Sequence, residues 1–100
     1  MLAINTPNST MQTIRDNFKA KRLSLNLTQE GLSSRSGVSL GSLKRFESTG
    51  QISLESLLKI AFILDSLDDF LDIAKVKDDE PQTMQELLRP KKERQRGALK

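Results

Sequence analysis

Apolar residues recur along this chain at steps of three and four, the spacing that keeps side chains on one side of a helix. Met11, Ile14 and Phe18 form the first such stripe. Ser9 with Gln12 has the form of a capping box, so a helix is expected to open there and end near Leu25, with Asn26 in the left-handed conformation. Two shorter helices are predicted next. Thr28 can cap a helix over Gln29 to Ser36 that Gly37 stops, and Ser39 can cap a second running roughly to Ser48. Leu32, Val38, Leu43 and Phe46 are spaced to face one common core, which leaves Leu40, Gly41, Lys44, Arg45 and Ser48 facing outward.

Beyond Gly50, Ser53 can cap a helix whose Leu54, Leu57, Leu58, Ala61 and Leu64 are expected to form the centre of the core. Ile60, Phe62 and Ile63 widen its apolar surface and imply contact on a second side. Asp65-Ser66 makes a turn into a fifth short helix over Leu67 to Ala74, with Leu67, Phe70, Leu71 and Ala74 as its apolar face and acidic residues at its favourable N-terminal end. Thr83 and Glu86 can then box a two-turn helix whose Met84, Leu87 and Leu88 need a partner surface. The final RPKKERQRGALK is expected to be a disordered basic tail. The prediction is an all-α chain: a flexible arm over 1–8, a helical domain over 9–74, and a linker, short helix and basic tail over 75–100.

Composition narrows the chemistry. One hundred residues suit one small domain, and 36% hydrophobic content with only four phenylalanines as aromatics suits a compact helical core of Leu and Ile. The absence of Cys and His removes disulfides, thiolate nucleophiles, imidazole bases and the usual zinc ligands, so no cofactor or metal is expected and an enzyme is a poor reading. The acidic run Asp65, Asp68, Asp69 and Asp72 lacks the central glycine and spaced oxygens of a calcium loop. No apolar run approaches a membrane span and no signal layout opens the chain, so a cytoplasmic protein without membrane partners is expected. Residues 1–64 carry eight cations against four anions, residues 65–80 two against seven, and residues 81–100 six against two. The first block fits a DNA-facing surface and the acidic block should point away from phosphate, although ordinary solvated surface would have the same pattern.

The stretch LTQEGLSSRSGVSLGSLKRFE over residues 27–47 resembles the Cro and phage-repressor (XRE) type of helix-turn-helix family. The likeness lies in the LTQE opening, Leu32, the GVS turn, Leu43, and Phe46 followed by Glu47, and flanking segments extend it over roughly Ile14 to Leu71. It implies a five-helix lambda-repressor-like domain that places the Ser39 to Ser48 helix in a major groove. Lys44 and Arg45 are the expected base readers, with Ser39, Leu40, Gly41 and Ser42 near the base edges, since an arginine can make a bidentate contact to guanine. Gln29 is a phosphate contact in the resembled repressors, and Thr28 and Ser48 are grouped with it, with helix capping rather than DNA contact as the first role of Thr28 and Ser39 and both roles open to Ser39. A plain solvated helix face is the alternative for Lys44 and Arg45. The resemblance also implies an ion pair between Arg22 and Glu47, against two independent surface charges, and a dimer contact around Leu67, Phe70, Leu71 and Ile73, against closure of the monomer core. Gly31 inside a helix and Ser33 where the family usually has Ala depart from the pattern.

The function implied is a homodimeric, sequence-specific repressor of double-stranded DNA with an inverted-repeat operator, nucleoid-associated when bound. RFESTGQISLESLLKIAFILDSLDDF and PQTMQELLRPKKERQRG look like HipB-type antitoxins, which implies a toxin-antitoxin operon, autoregulation of its promoter and a HipA-like kinase toxin as partner. A phage or stand-alone repressor is the alternative within the family. A protein-interaction module that has lost DNA binding is the alternative of another class, against which the basic pair Lys44 and Arg45 speaks. The tail cations Arg89, Lys91, Lys92, Arg94 and Arg96 could add salt-sensitive phosphate contacts, keep the end soluble, or belong to a segment that folds on a protein partner.

Overall fold

A computed structural model of the chain describes residues 4–76, which form four α-helices and a closing 3₁₀ segment: α1 Pro7–Ser24, α2 Gln29–Ser36, α3 Leu40–Thr49, α4 Leu54–Ile63 and the 3₁₀ turn Leu67–Asp72. Among the described residues the fold is all-helical, a lambda-repressor-like arrangement. The short helix expected around Met84 to Leu88 and the basic tail lie outside the described residues.

Local chemistry sets the helix starts. Thr28, Ser39 and Ser53 stand in extended backbone, and their side chains accept hydrogen bonds from the amides of Gly31, Ser42 and Ser56. The first helix opens earlier than Ser9. Thr6 is its cap: Thr6 Oγ1 accepts from the Ser9 amide at 3.0 Å, and Ser9 Oγ accepts from the Thr6 amide at 3.0 Å. Pro7 suits the first helical position because its missing N–H would have no intrahelical partner there. Ser9 is therefore the reciprocating third residue rather than the cap, and Pro7 and Asn8 belong to the helix rather than to the arm. At the far end Asn26 takes φ 59°, the left-handed conformation expected for it.

Leu32, Val38, Leu43 and Phe46 bury together, joined by Ile60 and Leu64 of α4. Ile14, Phe18, Leu27, Ile52, Leu57 and Ile63 pack around them. The Phe18 ring meets Phe46 edge-on, with centroids 5.7 Å apart and planes at 85°. Two expectations for α4 shift. Ile60 is fully buried rather than peripheral, whereas Leu54, in the first turn, projects past the edge of the core and is exposed. Phe62 is also exposed, on the side away from the core.

The fifth element is tighter and shorter than the helix expected over Leu67 to Ala74. It is 3₁₀, ends at Asp72, and leaves Ala74 at φ 61°. Six residues are too few to repay α-helix nucleation, and 3₁₀ winding is common in such short connectors. The winding changes which residues share a side, because residues three apart eclipse in a 3₁₀ helix. Leu67 and Phe70 accordingly turn inward, with Phe70 edge-on to Phe18 at 6.2 Å, while Leu71 swings out to 74% exposure.

Candidate nucleic-acid interface

The two helices that would meet DNA are joined by a turn held by serines. Gly37 closes α2 at φ 79°. Val38 drives its side chain into the core, and its backbone is satisfied locally: Ser33 Oγ donates to the Val38 carbonyl at 2.6 Å, and the Val38 amide donates to Ser36 Oγ at 3.1 Å. Ser33, which departs from the family's Ala, thereby gains a structural role that a small apolar residue could not perform. Gly31 is likewise not a helix-interior defect. It is the third residue of α2, where a Cβ would come to 3.2 Å from the capping Thr28 Oγ1.

The α3 helix has two unlike sides. Leu43 and Phe46 are buried, and Gly41, Ser42, Lys44, Arg45 and Ser48 are exposed, with Leu40 half-buried at the first turn. The outward side is small, polar and basic, as a helix entering a major groove requires. Its hydroxyls are committed locally. Ser39 Oγ accepts from the Ser42 amide at 3.1 Å and donates to Ser42 Oγ at 2.9 Å, and Ser48 Oγ donates to the Arg45 carbonyl at 3.1 Å. Among the expected readers, Lys44 and Arg45 carry the charge.

Beneath this surface Arg22, Glu47 and Gln29 form one network. Arg22 Nε donates to Glu47 Oε2 at 2.8 Å, Arg22 Nη2 to Glu47 Oε1 at 3.0 Å, and Arg22 Nη1 to the Leu27 carbonyl at 2.8 Å. The fork geometry is bidentate, and the side chains are only 7% and 6% exposed. One guanidinium thus joins α1, the α1–α2 link and α3. Gln29, expected on phosphate, spends one amide hydrogen here: its Nε2 donates to Glu47 Oε1 at 2.9 Å. Thr28 is engaged as the α2 cap through the Gly31 amide at 2.9 Å. A further tie, which no sequence pattern announced, runs from Arg15 Nη1 to the Ser48 carbonyl at 3.3 Å, fastening α1 to the end of α3.

The four residues expected at a dimer contact divide. Leu67 and Phe70 are half-buried against the domain, whereas Leu71 and Ile73 are exposed, with Val76 exposed beyond them. Among the described residues no group of three or more His, Cys, Asp or Glu could hold a metal ion, and no helix is long and apolar enough to cross a membrane.

The family model described as helix-turn-helix matches residues 18–70. That span runs from the middle of α1 to Phe70 and so takes in the capped α2, the Gly37 turn, α3 and α4. No curated protein and no solved structure matches the chain significantly. With two capped helices about a left-handed glycine, a buried Arg–Glu clamp below them and a basic outer face on the second, the chain belongs to the XRE-type helix-turn-helix family and is a DNA-binding transcription regulator.

Proposed function

We propose that the protein is a dimeric, sequence-specific repressor that lays α3 of each subunit in successive major grooves. The observation that carries this reading is the division of α3: Leu43 and Phe46 anchor one side in the core while Gly41, Ser42, Lys44 and Arg45 are presented together on the other. Arg45 and Lys44 read base edges, and Ser39, Leu40, Gly41 and Ser42 let the first turn approach closely. Thr28, Gln29 and Ser48 lie along the phosphate track. Gln29 acts there through its second amide hydrogen and the free amides of the α2 N-terminus, since its first hydrogen is bound to Glu47. The exposed Leu71 and Ile73, with Leu67 and Phe70 behind them, pair two subunits. A symmetric dimer implies an inverted-repeat operator with half-sites about 10 base pairs apart, or a multiple.

Within the family, the reading we favour is an antitoxin of HipB type that represses its own operon and binds a HipA-like kinase. The likeness of residues 45–70 and 81–97 to that group supports it. The test is to co-express the chain with the adjacent gene of its operon and follow co-elution and binding to the operon's promoter DNA. Co-elution of a kinase-like protein with a shift of the promoter fragment supports the antitoxin. A shift by this protein alone indicates a stand-alone repressor, and absence of any DNA binding at low salt would refute the repressor.

A further inference from the structure

We infer that Gln51 is a specificity-determining residue that positions Arg45 for base readout, a role that rests on the reading of α3 as the groove-entering helix. Arg45 Nη2 donates to Gln51 Oε1 at 2.6 Å. Gln51 lies outside α3, in the link to α4, so the residue that steers the reader is not on the reading helix.

The position of Gln51 is itself constrained. Its amide donates to Thr49 Oγ1 at 3.1 Å, and that hydroxyl donates to the Arg45 carbonyl at 2.7 Å. Backbone and side chain of Arg45 are therefore joined through Thr49 and Gln51 in one closed ring of hydrogen bonds. Gly50, between them, takes φ 85° and lies against α1, where a Cβ would come to 3.3 Å from both the Cβ and the carbonyl oxygen of Met11. The path of the link is thus set by packing, and the side chain after Gly50 inherits that placement.

A free arginine on a helix surface samples many rotamers, and fixing it on DNA costs conformational entropy. A partner on the protein that already holds the guanidinium removes part of that cost before DNA arrives. The guanidinium has five N–H donors, so an acceptor on one Nη2 hydrogen leaves donors for the O6 and N7 edge of a guanine. The Arg45–Gln51 bond is exposed and contributes little to folding. Its loss should change recognition rather than stability.

The experiment uses the full-length protein and a pool of DNA duplexes with randomised positions, from which the wild type selects its preferred site. Arg45→Ala, Gln51→Ala and Gln51→Glu are then profiled on single-base variants of that site, with melting curves taken for each. Arg45→Ala is expected to lose about fivefold or more of the discrimination at one base pair per half-site. Gln51→Ala should lose part of the discrimination at that same base pair with an unchanged melt. Gln51→Glu, which keeps the acceptor, should retain the preference at lower overall affinity because it adds an anion beside the phosphates. If Gln51→Ala has the wild-type profile, weakens all sequences equally, or lowers the melt in step with affinity, the positioning role is overturned while the Arg45 reading stands. An unchanged profile for Arg45→Ala overturns the Arg45 reading and this role with it.

Discussion

Around Glu47 a carboxylate that has left water receives three side-chain hydrogen bonds, two from Arg22 and one from Gln29, whereas the Leu67–Asp72 segment has no side-chain cap and leans Phe70 on the edge of Phe18. Directional bonds to a buried charge admit one geometry, because any displacement leaves an ion unpaired in a poorly solvated site. An edge contact between half-buried rings is far more forgiving. The contrast matches the proposed function: the helix-turn-helix must hold its second helix at one angle to a groove, and under the proposed dimer the closing segment would accept a second surface.

The largest expected effect breaks the first region. Glu47→Ala should cost about 3–5 kcal/mol in urea denaturation, because it leaves the Arg22 guanidinium buried without its partner. Replacing both ions, with Arg22→Met and Glu47→Leu together, should recover most of that loss. A single variant as stable as the wild type would erase the distinction between the regions. Next, the two left-handed glycines should separate. An L side chain in that conformation costs about 1–2 kcal/mol at either site. Gly37→Ala meets nothing within 4 Å, but Gly50→Ala also presses on Met11, so thermal melting should show Gly50→Ala as the worse of the two.

In the closing segment, Phe70→Ala should cost about 1–2 kcal/mol, less than a fully buried phenylalanine, since the ring is only half-covered. The smallest effect on folding is expected at Leu71→Ser and Ile73→Ser, about 0.5 kcal/mol or less for exposed positions. Under the proposed dimer these same changes should shift sedimentation toward the monomer and weaken operator binding. A stable monomeric fold with unchanged self-association would move the interface elsewhere.

Much of the helix-turn-helix was legible because its signals are local. Thr28, Ser39 and Ser53 announce helix starts, Gly37 and Gly50 announce stops, and the spacing of Leu32, Val38, Leu43 and Phe46 points them at one core. Thr6 was harder to read, since Ser9 offered an equally good cap and only the fit of Pro7 to the first helical position separates the two. Ser33 departs from the family's Ala, and its use is legible only in the folded turn, which brings the Val38 carbonyl to its hydroxyl.

The closing segment departs from its sequence pattern in a specific way. An α-helical period groups Leu67, Phe70, Leu71 and Ala74, but 3₁₀ winding keeps Leu67 with Phe70 and turns Leu71 to solvent. Nothing local distinguishes the two periods over six residues.

By itself the sequence determined the all-helical class, the capped pair of helices with its glycine stop, and the basic side of α3, because capping, left-handed turns and apolar period act over a few neighbouring residues. Only the tertiary structure decided that Leu27 and Gln29 join the Arg22–Glu47 pair implied by the family resemblance, that Arg15 reaches Ser48, and that Gln51 lies in register beside Arg45. Those contacts form between elements that packing has already brought together, and the free energy of desolvating a charge or ordering a side chain depends on that placement rather than on residue type.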